Sequence, residues 1–427
     1  MTTTMQVAID ASSSETEAAE ACRHWIAEHL PSEWAIAARQ GPDELRRARP
    51  RAEYERWYPT FGASGLVVPT WEVEHGGLAV NRDVARAIDA ELAPYRLHRL
   101  NPLGLNNAAA ALFAHGTEEQ RRRFLPPMVR NEERWCQLFS EPGAGSDLAS
   151  LACRAVLDGD EWVVTGQKVW TTWANVSDFA ILLVRTNADV PKRAGVTYLL
   201  LDLHQAGVDI RPLRQITGEA EFNEVFLDGA KVPDAHRIGA IDDGWKVSAS
   251  TLSSERQMVS GSGSGASIGR LGGISSEAAI ELARANGCWD DPIVRQRLVA
   301  LWSEEQIRGW TNLRVRGHLK AGQTPGPAAS VGKVHQAYLN QRIQSAVVDL
   351  LGAGAVAWIS DASKGAGPDA YGKLLRAEVS GFLRSRANSI EGGTTEVNKT
   401  ILGERVLGLP REQDPWQKIP WSEVPRS

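Results

Sequence analysis

A glycine-rich turn near residue 140 combines hydroxyl, carboxylate and backbone groups in the manner of a ligand-binding loop. Residues 140–147 read SEPGAGSD. Glycine has no Cβ, so Gly143 and Gly145 would let backbone N–H groups approach a flat or anionic ligand closely. The composition of this turn therefore predicts a contact between the backbone and a ligand.

Aromatic and hydroxyl side chains alternate a short distance further along the chain. Residues 155–157 and 162–165 are strand-like and flank an Asp-Gly-Asp turn at 158–160, which is typical of a β-hairpin. A second turn is expected at 166–168, and it leads into VWTTW at 169–173.

A third segment with chemical potential lies near the C-terminus. Residues 384–397 read RSRANSIEGGTTEV, and residues 403–410 read GERVLGLP. The pattern predicts that a helix ends, a glycine pair forms a tight turn, and threonine caps the next helix. Such a turn can press backbone against a ligand and offer hydroxyls to it. A plain connection between two helices is the alternative interpretation.

Length and composition restrict the class of protein. A chain of 427 residues is long enough for two or three domains with buried cores. The net charge of −5 gives no electrostatic reason to bind nucleic acid or an anionic membrane. Fifteen Trp against eight Phe suggest large rings that line cavities or subunit contacts.

The cysteines and the hydropathy pattern indicate the compartment. The four cysteines have no CxxC spacing and no neighbouring His cluster, so neither a metal site nor a disulfide framework is expected. The sequence shows no secretory signal pattern and no apolar run long enough for a membrane span. We therefore expect a cytoplasmic protein without membrane insertion.

The periodicity of apolar residues divides the chain into regions. The spacing predicts mainly helices over 14–132, including 18–30, 83–92 and 102–113, with an N-cap at Thr117 and Gln120 as its capping-box partner. Over 133–237 the period becomes two, with strands at 162–165, 179–185, 196–202 and 222–227.

Helical spacing returns over 240–410. Helices are predicted at 245–261, 275–286, 291–316, 330–352 and 369–386, and the Gly/Ser stretch 260–273 is left unassigned. The lengths and apolar faces of these helices favour a long-helix bundle. Residues 411–427 are expected to form an arm or a disordered tail.

The order and spacing of SEPGAGSD, KVWTT and the C-terminal turn resemble the acyl-CoA dehydrogenase family. The resemblance extends from about residue 15 to residue 412. It implies an α+β multidomain fold with an N-terminal helical domain, a middle β-barrel domain and a C-terminal four-helix bundle. It also implies FAD as the cofactor and an acyl-CoA thioester as the substrate.

The resemblance assigns site residues position by position. The implied FAD contacts are Gln137, Phe139, Ser140, Trp170, Thr171, Thr172, Gln296, Gly352, Gly354, Thr394, Thr395 and Glu396. The implied substrate contacts are Ser146, Arg256, Glu391, Gly392 and Gly393. Within these sets Trp170 would cover the isoalloxazine, and Thr172 would donate towards flavin N5.

Part of the family pattern concerns a subunit boundary. Gln296, Gly352 and Gly354 match positions that hold the FAD phosphates and ribityl chain across it. The usual RxxFG element is absent, and RANG at 284–287 is its nearest counterpart. A pyrophosphate contact is therefore in doubt, and Arg284 is not a secure substitute.

The implied reaction is α,β-dehydrogenation, in which a carboxylate takes the α-proton while the β-hydrogen leaves as a hydride to flavin N5. Many family members carry this base immediately before the Gly-Thr of the C-terminal turn, where this chain has Gly392. Glu255, in LSSER at 252–256, matches the alternative position on a helix and is the predicted catalytic base. Two other interpretations stay open: Glu255 as a solvated residue paired with an arginine, and Glu391 as the base.

Three functions are compatible with these features. The first is an FAD-dependent acyl-CoA dehydrogenase, with a preference for a branched or sterol-derived acyl group and an electron-transfer protein or another acceptor as partner. The second is a flavin oxidase of the same fold, and the third is a non-catalytic subunit of a heteromeric dehydrogenase. By family resemblance we expect a homodimer or homotetramer, with a heteromer as the alternative.

Overall fold

The N-terminal part of the chain is helical, as the spacing predicts. The computed structural model describes residues 6–260, 272–321, 330–356 and 377–425, without the side chains of 255–260, 316, 319 and 320. The helices of the N-terminal part are α1 Glu15–His29, α2 Ser32–Gln40, α3 Pro42–Ala48, α4 Arg51–Ala63, α5 Arg82–Leu92, α6 Ala109–His115 and α7 Glu118–Val129. Capping boxes begin α1 at Ser14 and α7 at Thr117, which confirms the predicted cap.

Several tryptophans belong to the core of this helical domain. Trp25, Trp34 and Trp57 pack with one another and with Tyr54 and Phe61, at ring-centroid distances of 5.5–6.2 Å. Trp25 and Trp34 are buried. The expectation that the abundant rings line cavities or subunit contacts is therefore wrong for this group, which stabilises the interior of one domain.

The predicted helix 102–113 is interrupted. A π-helical turn, Leu103–Ala108, precedes α6. Asn106 donates a hydrogen bond from Nδ2 to the carbonyl of Pro102, at 2.7 Å, and Asn107 is fully buried. Asparagine competes with helical backbone hydrogen bonds, and single π turns are frequent at functional sites. The apolar spacing alone did not reveal this turn.

The middle part of the chain forms one eight-stranded sheet. Its strands are β1 Trp135–Leu138, β2 Arg154–Asp158, β3 Glu161–Thr172, β4 Phe179–Arg185, β5 Val196–Asp202, β6 Val208–Leu213, β7 Phe222–Pro233 and β8 Arg237–Ile238. The order is β6-β7-β3-β2-β4-β5-β8, and β1 pairs with β4 in parallel. The four predicted strands and the β2–β3 hairpin are confirmed.

The turn predicted at 166–168 is wrong. These residues continue β3, which pairs with β7 along its length. The register shifts twice, between Val164 and Thr165 and between Lys168 and Thr171. A β-bulge inserts an extra residue and re-aims side chains without ending a strand, which explains why a glycine-containing segment resembled a turn.

The strands β4 and β5 are buried on both faces. Phe179, Ile181 and Leu183 join the core that contains the N-terminal helices. Leu182 and Val184, which alternate with them, join the interior of the sheet itself. Because neighbouring strand residues point to opposite faces, this alternation places the sheet directly against the N-terminal helices.

The C-terminal part is helical, as predicted. The helices are α8 Gly244–Ser260, α9 Ser276–Ala285, α10 Pro292–Lys320, α11 Ser330–Leu351, α12 Ala377–Ser385 and α13 Thr395–Arg405. Short 3-10 turns lie at Gly352–Val356 and Arg386–Ser389. The helix predicted at 369–386 is confirmed over α12, and its first part, like most of 260–273, lies outside the described residues.

The tail does not behave as predicted. Residues 414–424 fold back on the segment between β4 and β5. Pro420 pairs with Pro191, and the N–H of Trp421 donates to the carbonyl of Val190 at 2.8 Å. The expectation of an arm or a disordered tail is wrong for these residues, since an aromatic ring and backbone hydrogen bonds attach them.

Within the described residues, no helix combines the length and apolar character that crossing a membrane requires.

Candidate active site

A buried ion pair organises the glycine-rich turn. Lys168 of β3 is fully buried, and its Nζ donates to Glu141 Oε1 at 2.7 Å and to the carbonyl of Phe139 at 3.1 Å. The Glu141 carboxylate also accepts the N–H groups of Ala152 and Cys153, at 2.7 and 2.9 Å. The ion pair therefore joins the end of β1, the turn that follows it, and β3.

Sequence analysis did not identify this pair. Glu141 and Lys168 each belong to one of the recognised motifs, but the ligand contacts were predicted from the glycines and the indoles around them. The available signal was a charged residue in each of two otherwise apolar or small-residue segments. A buried charge needs a partner, so the two motifs could have been paired on that ground.

The tip of the turn is open. Gly143, Gly145 and Ser146 are exposed, and a Cβ built on either glycine would meet no atom within 4 Å. Internal packing does not demand glycine at these two positions. The proposed need for glycine therefore rests on a ligand, and the contact of Ser146 with substrate stays a prediction.

The bulge in β3 presents Trp170 to the outside. Trp170 has a left-handed φ of 60° and is 57% exposed. Its ring lies perpendicular to that of Phe222, at 5.9 Å between centroids. A non-glycine residue in this backbone region costs about 1–3 kcal/mol, and such strain concentrates at binding sites. An exposed indole held in this way suits a planar ligand.

The residue after Trp170 carries an unpaired hydroxyl. Thr171 is fully buried, and in the described part of the chain its Oγ1 has no hydrogen-bond partner. Its carbonyl accepts a hydrogen bond from Asn223 Nδ2 at 3.1 Å. A buried hydroxyl without a partner is costly unless a ligand supplies one. Thr172, next along the strand, is half-buried.

The residues at the end of β1 contact the N-terminal domain and β5. Gln137 Oε1 accepts a hydrogen bond from Asn107 Nδ2 at 2.9 Å. Phe139 is buried and lies perpendicular to Tyr198, at 5.9 Å. The carbonyl of Ser140 accepts the N–H of Val169 at 2.9 Å, which joins the first motif directly to the second.

Helix α8 lies beside the surface formed by Asn107 and Gln137, which we call the wall. Thr251 donates from Oγ1 to the carbonyl of Asn107 at 3.3 Å, and Ser254 donates from Oγ to that of Asn106 at 3.1 Å. Glu255 follows Ser254 on α8 and lies four positions after Thr251. Residues four apart share one helix face, so the backbone puts position 255 on the face of Thr251.

The side chains of Glu255 and Arg256 lie outside the described residues. The position of their backbone is consistent with a role at this wall, because Asn107 connects α8 to Gln137. Their assignments as base and as substrate contact remain predictions.

The C-terminal turn is locked by an arginine. Arg384 binds Glu391 in a bidentate manner, at 3.0 and 2.8 Å, and its Nε lies 3.4 Å from Glu221 Oε1. Asn388 Nδ2 donates a third hydrogen bond to Glu391, at 2.9 Å. Both carboxylate oxygens of Glu391 are thereby committed to groups of the protein.

Electrostatics agree with this arrangement. Burial disfavours the charge on Arg384, but the hydrogen bonds and charges of Glu391 and Glu221 outweigh it and raise the pKa of the guanidinium. Burial raises the pKa of Glu221, and the charge of Arg384 opposes that shift only in part. Arg384 therefore stays charged and holds the turn.

The glycine pair requires glycine for backbone reasons. Gly392 and Gly393 have φ values of 64° and 81°, in the left-handed region. Thr394 caps α13 by accepting the N–H of Val397 at 3.1 Å, which confirms the predicted cap. Thr395 is buried and donates from Oγ1 to Glu396 Oε1 at 2.8 Å.

The second and third motifs come together in space. The Arg384 guanidinium lies 5.9 Å from the ring of Phe222, which in turn packs against Trp170. Trp173, three residues after Trp170, donates from its backbone N–H to the carbonyl of Glu221 at 2.8 Å. The C-terminal turn is thus attached to the strand that presents the indole.

Three predicted cofactor residues lie elsewhere. Gln296 is exposed on α10, while Gly352 is exposed and Gly354 half-buried in the 3-10 turn after α11. Their place on the surface of the C-terminal helices agrees with a contact across a subunit boundary. Arg284 forms an exposed ion pair with Glu281, at 2.6 Å.

One cluster could in principle ligate a metal. Glu74, His75 and Glu118 lie close together in the described part of the chain. Arg122 binds both carboxylates, at 3.1 and 3.3 Å, and Arg121 binds Glu118 at 3.3 Å, so two guanidinium groups already balance their charges. We assign no metal to it.

The comparisons with known proteins agree with the geometry. The chain matches the acyl-CoA dehydrogenase N-terminal domain over residues 12–132, the middle domain over 136–230 and the C-terminal domain over 242–407. It is 38% identical to the acyl-CoA dehydrogenase IpdE1 of Mycobacterium tuberculosis over 401 residues, which cover 91% of this chain and 96% of that protein.

Solved structures show the same fold. The ChsE4-ChsE5 complex from Mycobacterium tuberculosis has a TM-score of 0.66 and 25% identity, over 93% of this chain and 98% of the other. The Tcur3481-Tcur3483 steroid ACAD has a TM-score of 0.67 and 23% identity, over 93% and 98%. The unpaired Thr171 hydroxyl, the exposed Trp170 and the wall around Gln137 fit a flavin. The chain belongs to the acyl-CoA dehydrogenase family, whose members are FAD-dependent oxidoreductases.

Proposed function

We propose that this chain oxidises a bulky acyl-CoA thioester between Cα and Cβ, with Glu255 as the base. The observation that carries the proposal is the state of the C-terminal turn. Gly392 offers no side chain, and both oxygens of Glu391 are bound to Arg384. A proton acceptor must therefore come from another element, and α8 passes beside the wall formed by Asn107 and Gln137.

The chain's own residues bind and orient the reactants. Gln137, Phe139 and Ser140 would line the flavin at the end of β1, and Trp170 would cover it. Bound there, FAD would supply the acceptor for the hydride that leaves Cβ. Glu255 would take the proton from Cα as the general base.

Domain boundaries follow from the same proposal. The helical domain comprises 14–132, the middle β domain 133–237 and the C-terminal helical domain 240–410. The matched family ranges support these bounds, since they leave gaps at 133–135 and 231–241. The wall lies near the first boundary, where β1 begins. Asn107 belongs to the helical domain, Gln137 to the middle domain and α8 to the C-terminal domain, so all three domains contribute to the site.

The preference for a bulky acyl group rests on the position of the base and on relatives. A base on the first helix of the C-terminal domain leaves a glycine where the usual carboxylate would project. The C-terminal turn therefore carries no side chain at that position. One relative is described as a steroid ACAD. We propose by analogy that this protein also prefers a polycyclic or branched acyl chain.

A spectroscopic experiment tests the function. We expect the purified protein to carry FAD and to lose its flavin absorbance when mixed anaerobically with an acyl-CoA bearing a steroid ring fragment. Butyryl-CoA, the matched small substrate, should reduce it at least about tenfold more slowly, because a short acyl chain offers much less apolar surface for binding than a steroid ring fragment. A folded, colourless protein that takes up no added FAD would contradict the proposal. Turnover with oxygen alone, without another acceptor, would favour the oxidase alternative.

An exposed apolar face on α10 supports an oligomer. Its members recur at helical spacing and are 39–65% exposed. They are Val299, Trp302, Ile307, Trp310 and Leu313. Monomers seldom expose a continuous apolar face of this length. We propose that a second copy of this chain covers the α10 face, and that an acyl-CoA dehydrogenase of different sequence is the alternative occupant.

Charge introduced on this face should weaken the assembly. Trp310 is 65% exposed in the single chain. We expect Trp310→Glu to raise the dissociation constant of the dimer by at least about 30-fold, the effect of losing an interface hot spot. Sedimentation at several concentrations measures this.

A control uses an apolar residue elsewhere. Ile36 of α2 is 57% exposed, and Ile36→Glu should leave the sedimentation profile unchanged. A wild-type chain that sediments as a monomer and still binds FAD tightly would refute the homodimer. A chain that assembles and gains FAD only with a different family member would establish the heteromer.

A further inference from the structure

The folded-back tail touches the element that carries the predicted substrate contact. We call residues 414–424 the strap. Besides its pairing with the segment before β5, the strap sends one side chain, Trp421, towards the end of the glycine-rich turn. Nothing in the proposed chemistry uses this contact, and the sequence motifs do not include it.

Trp421 covers a buried arginine. The guanidinium of Arg185 lies 4.9 Å from the centre of the Trp421 ring, and Arg185 is 3% exposed. Its donors reach the carbonyl of Ala149 at 2.6 Å, that of Leu151 at 3.3 Å and that of Lys192 at 2.7 Å. Arg185 therefore donates hydrogen bonds to three carbonyls that belong to two loops, and the indole ring covers one face of the guanidinium.

Trp421 also binds the segment that follows the turn. Its indole Nε1 donates to the carbonyl of Ser150 at 3.3 Å. Ser150 Oγ donates to Asp147 Oδ2 at 2.5 Å, and Asp147 immediately follows Ser146. A continuous set of contacts thus runs from the strap to the residue expected near the thioester.

A lysine connects the same two elements. Lys192 Nζ lies 2.8 Å from Asp147 and 3.8 Å from Asp414 of the strap. Burial opposes ionisation of Asp147, but the hydrogen bonds from Lys192 and Ser150 outweigh it and lower the pKa of this carboxyl. The end of the turn is therefore connected to the strap by two routes, one through Ser150 and one through Lys192.

We propose that the strap positions the glycine-rich turn for acyl-CoA, with Trp421 as a positioning residue. The turn needs such support because its residues from Pro142 to Asp147 are exposed, apart from Ala144, which packs into the core. Only the Glu141 end is fixed by the buried lysine. At the other end, Arg185 holds the carbonyls of Ala149 and Leu151, and Trp421 of the strap covers Arg185 and binds Ser150. The position of Ser146 therefore depends on both ends. This inference rests on the proposed function through the contact of Ser146 with substrate.

The test replaces one ring and keeps a matched one. Trp421→Ala removes the indole, Trp421→Phe keeps a ring over Arg185, and Trp416→Ala removes an exposed indole from the same strap. We expect Trp421→Ala to raise KM for acyl-CoA about tenfold with kcat within about twofold, the pattern of lost positioning rather than lost chemistry. Trp421→Phe should recover most of the loss, and Trp416→Ala should match the wild type.

A second measurement does not depend on activity. Amide hydrogen exchange of the apo and FAD-loaded proteins should show faster exchange at residues 147–153 in Trp421→Ala, because local opening becomes easier when the strap contact is lost. Unchanged exchange there, or an equal effect of Trp416→Ala, would overturn the proposal. So would a fall in kcat at constant KM, or loss of FAD from Trp421→Ala. If the wild type binds no acyl-CoA, the proposed function fails, while faster exchange would still support the strap contact.

Discussion

Glu255→Gln is expected to slow flavin reduction by an acyl-CoA by at least about two orders of magnitude, the usual contribution of a general base. FAD content and acyl-CoA binding should stay close to those of the wild type, because glutamine has nearly the shape of glutamate. Rapid anaerobic mixing, followed by the loss of flavin absorbance, measures the rate. Equilibrium titration of the oxidised variant with product measures binding separately.

The structural reason lies in what surrounds the two competing carboxylates. Thr251 and Ser254 fasten α8 to the backbone carbonyls of Asn107 and Asn106. A carboxylate on this helix can be aimed rigidly at one carbon atom. Glu391 has both oxygens held by Arg384, so taking a proton there would break a half-buried bidentate ion pair.

Glu391→Gln serves as the matched control. Arg384 keeps a contact with Glu221 in that variant, and the amide oxygen can still accept one of its hydrogen bonds. We expect flavin reduction to slow by less than about tenfold, since no reacting atom is removed. A Glu255→Gln variant that bleaches at the wild-type rate would refute the assignment. If only Glu391→Gln stalls, the C-terminal turn supplies the base.

Sequence reasoning identified the elements because each carries local information. The helices of the C-terminal domain and the strands β4, β5 and β7 follow from apolar periodicity, and the cap at Thr117 from a residue pair three positions apart. The glycine pair at 392 and 393 could be predicted as a turn because left-handed φ values favour glycine. These features depend on neighbours in the chain.

The features that were missed depend on partners far away in sequence. Trp421 meets Ser150 and Arg185, more than two hundred residues earlier, so a proline-rich tail resembled an arm. The bulge before Trp170 depends on the register with β7. The bidentate ion pair of Glu391 depends on the side chain of Arg384 folding back onto the turn. The spacing of the two residues in the sequence does not predict this contact.

Lys168→Met is expected to lower the free energy of unfolding by about 3–5 kcal/mol, the range for removing one partner of a buried ion pair. Glu141 would remain buried beside the end of β1 without its cation, although it keeps the N–H groups of Ala152 and Cys153. Equilibrium urea denaturation followed by circular dichroism measures the change. Because β3 carries Trp170, we also expect the variant to retain less FAD.

The control and the double variant separate charge from packing. Lys231 and Glu161 form an exposed pair between β7 and β3 at 3.0 Å, and Lys231→Met should barely move the denaturation midpoint because solvent screens that pair. Adding Glu141→Gln to Lys168→Met removes the uncompensated charge while keeping an acceptor for one N–H. The double variant should therefore be more stable than Lys168→Met alone. If it is less stable, the loss reflects missing hydrogen bonds and packing rather than a buried charge, and the ion pair is not what holds the turn to β3.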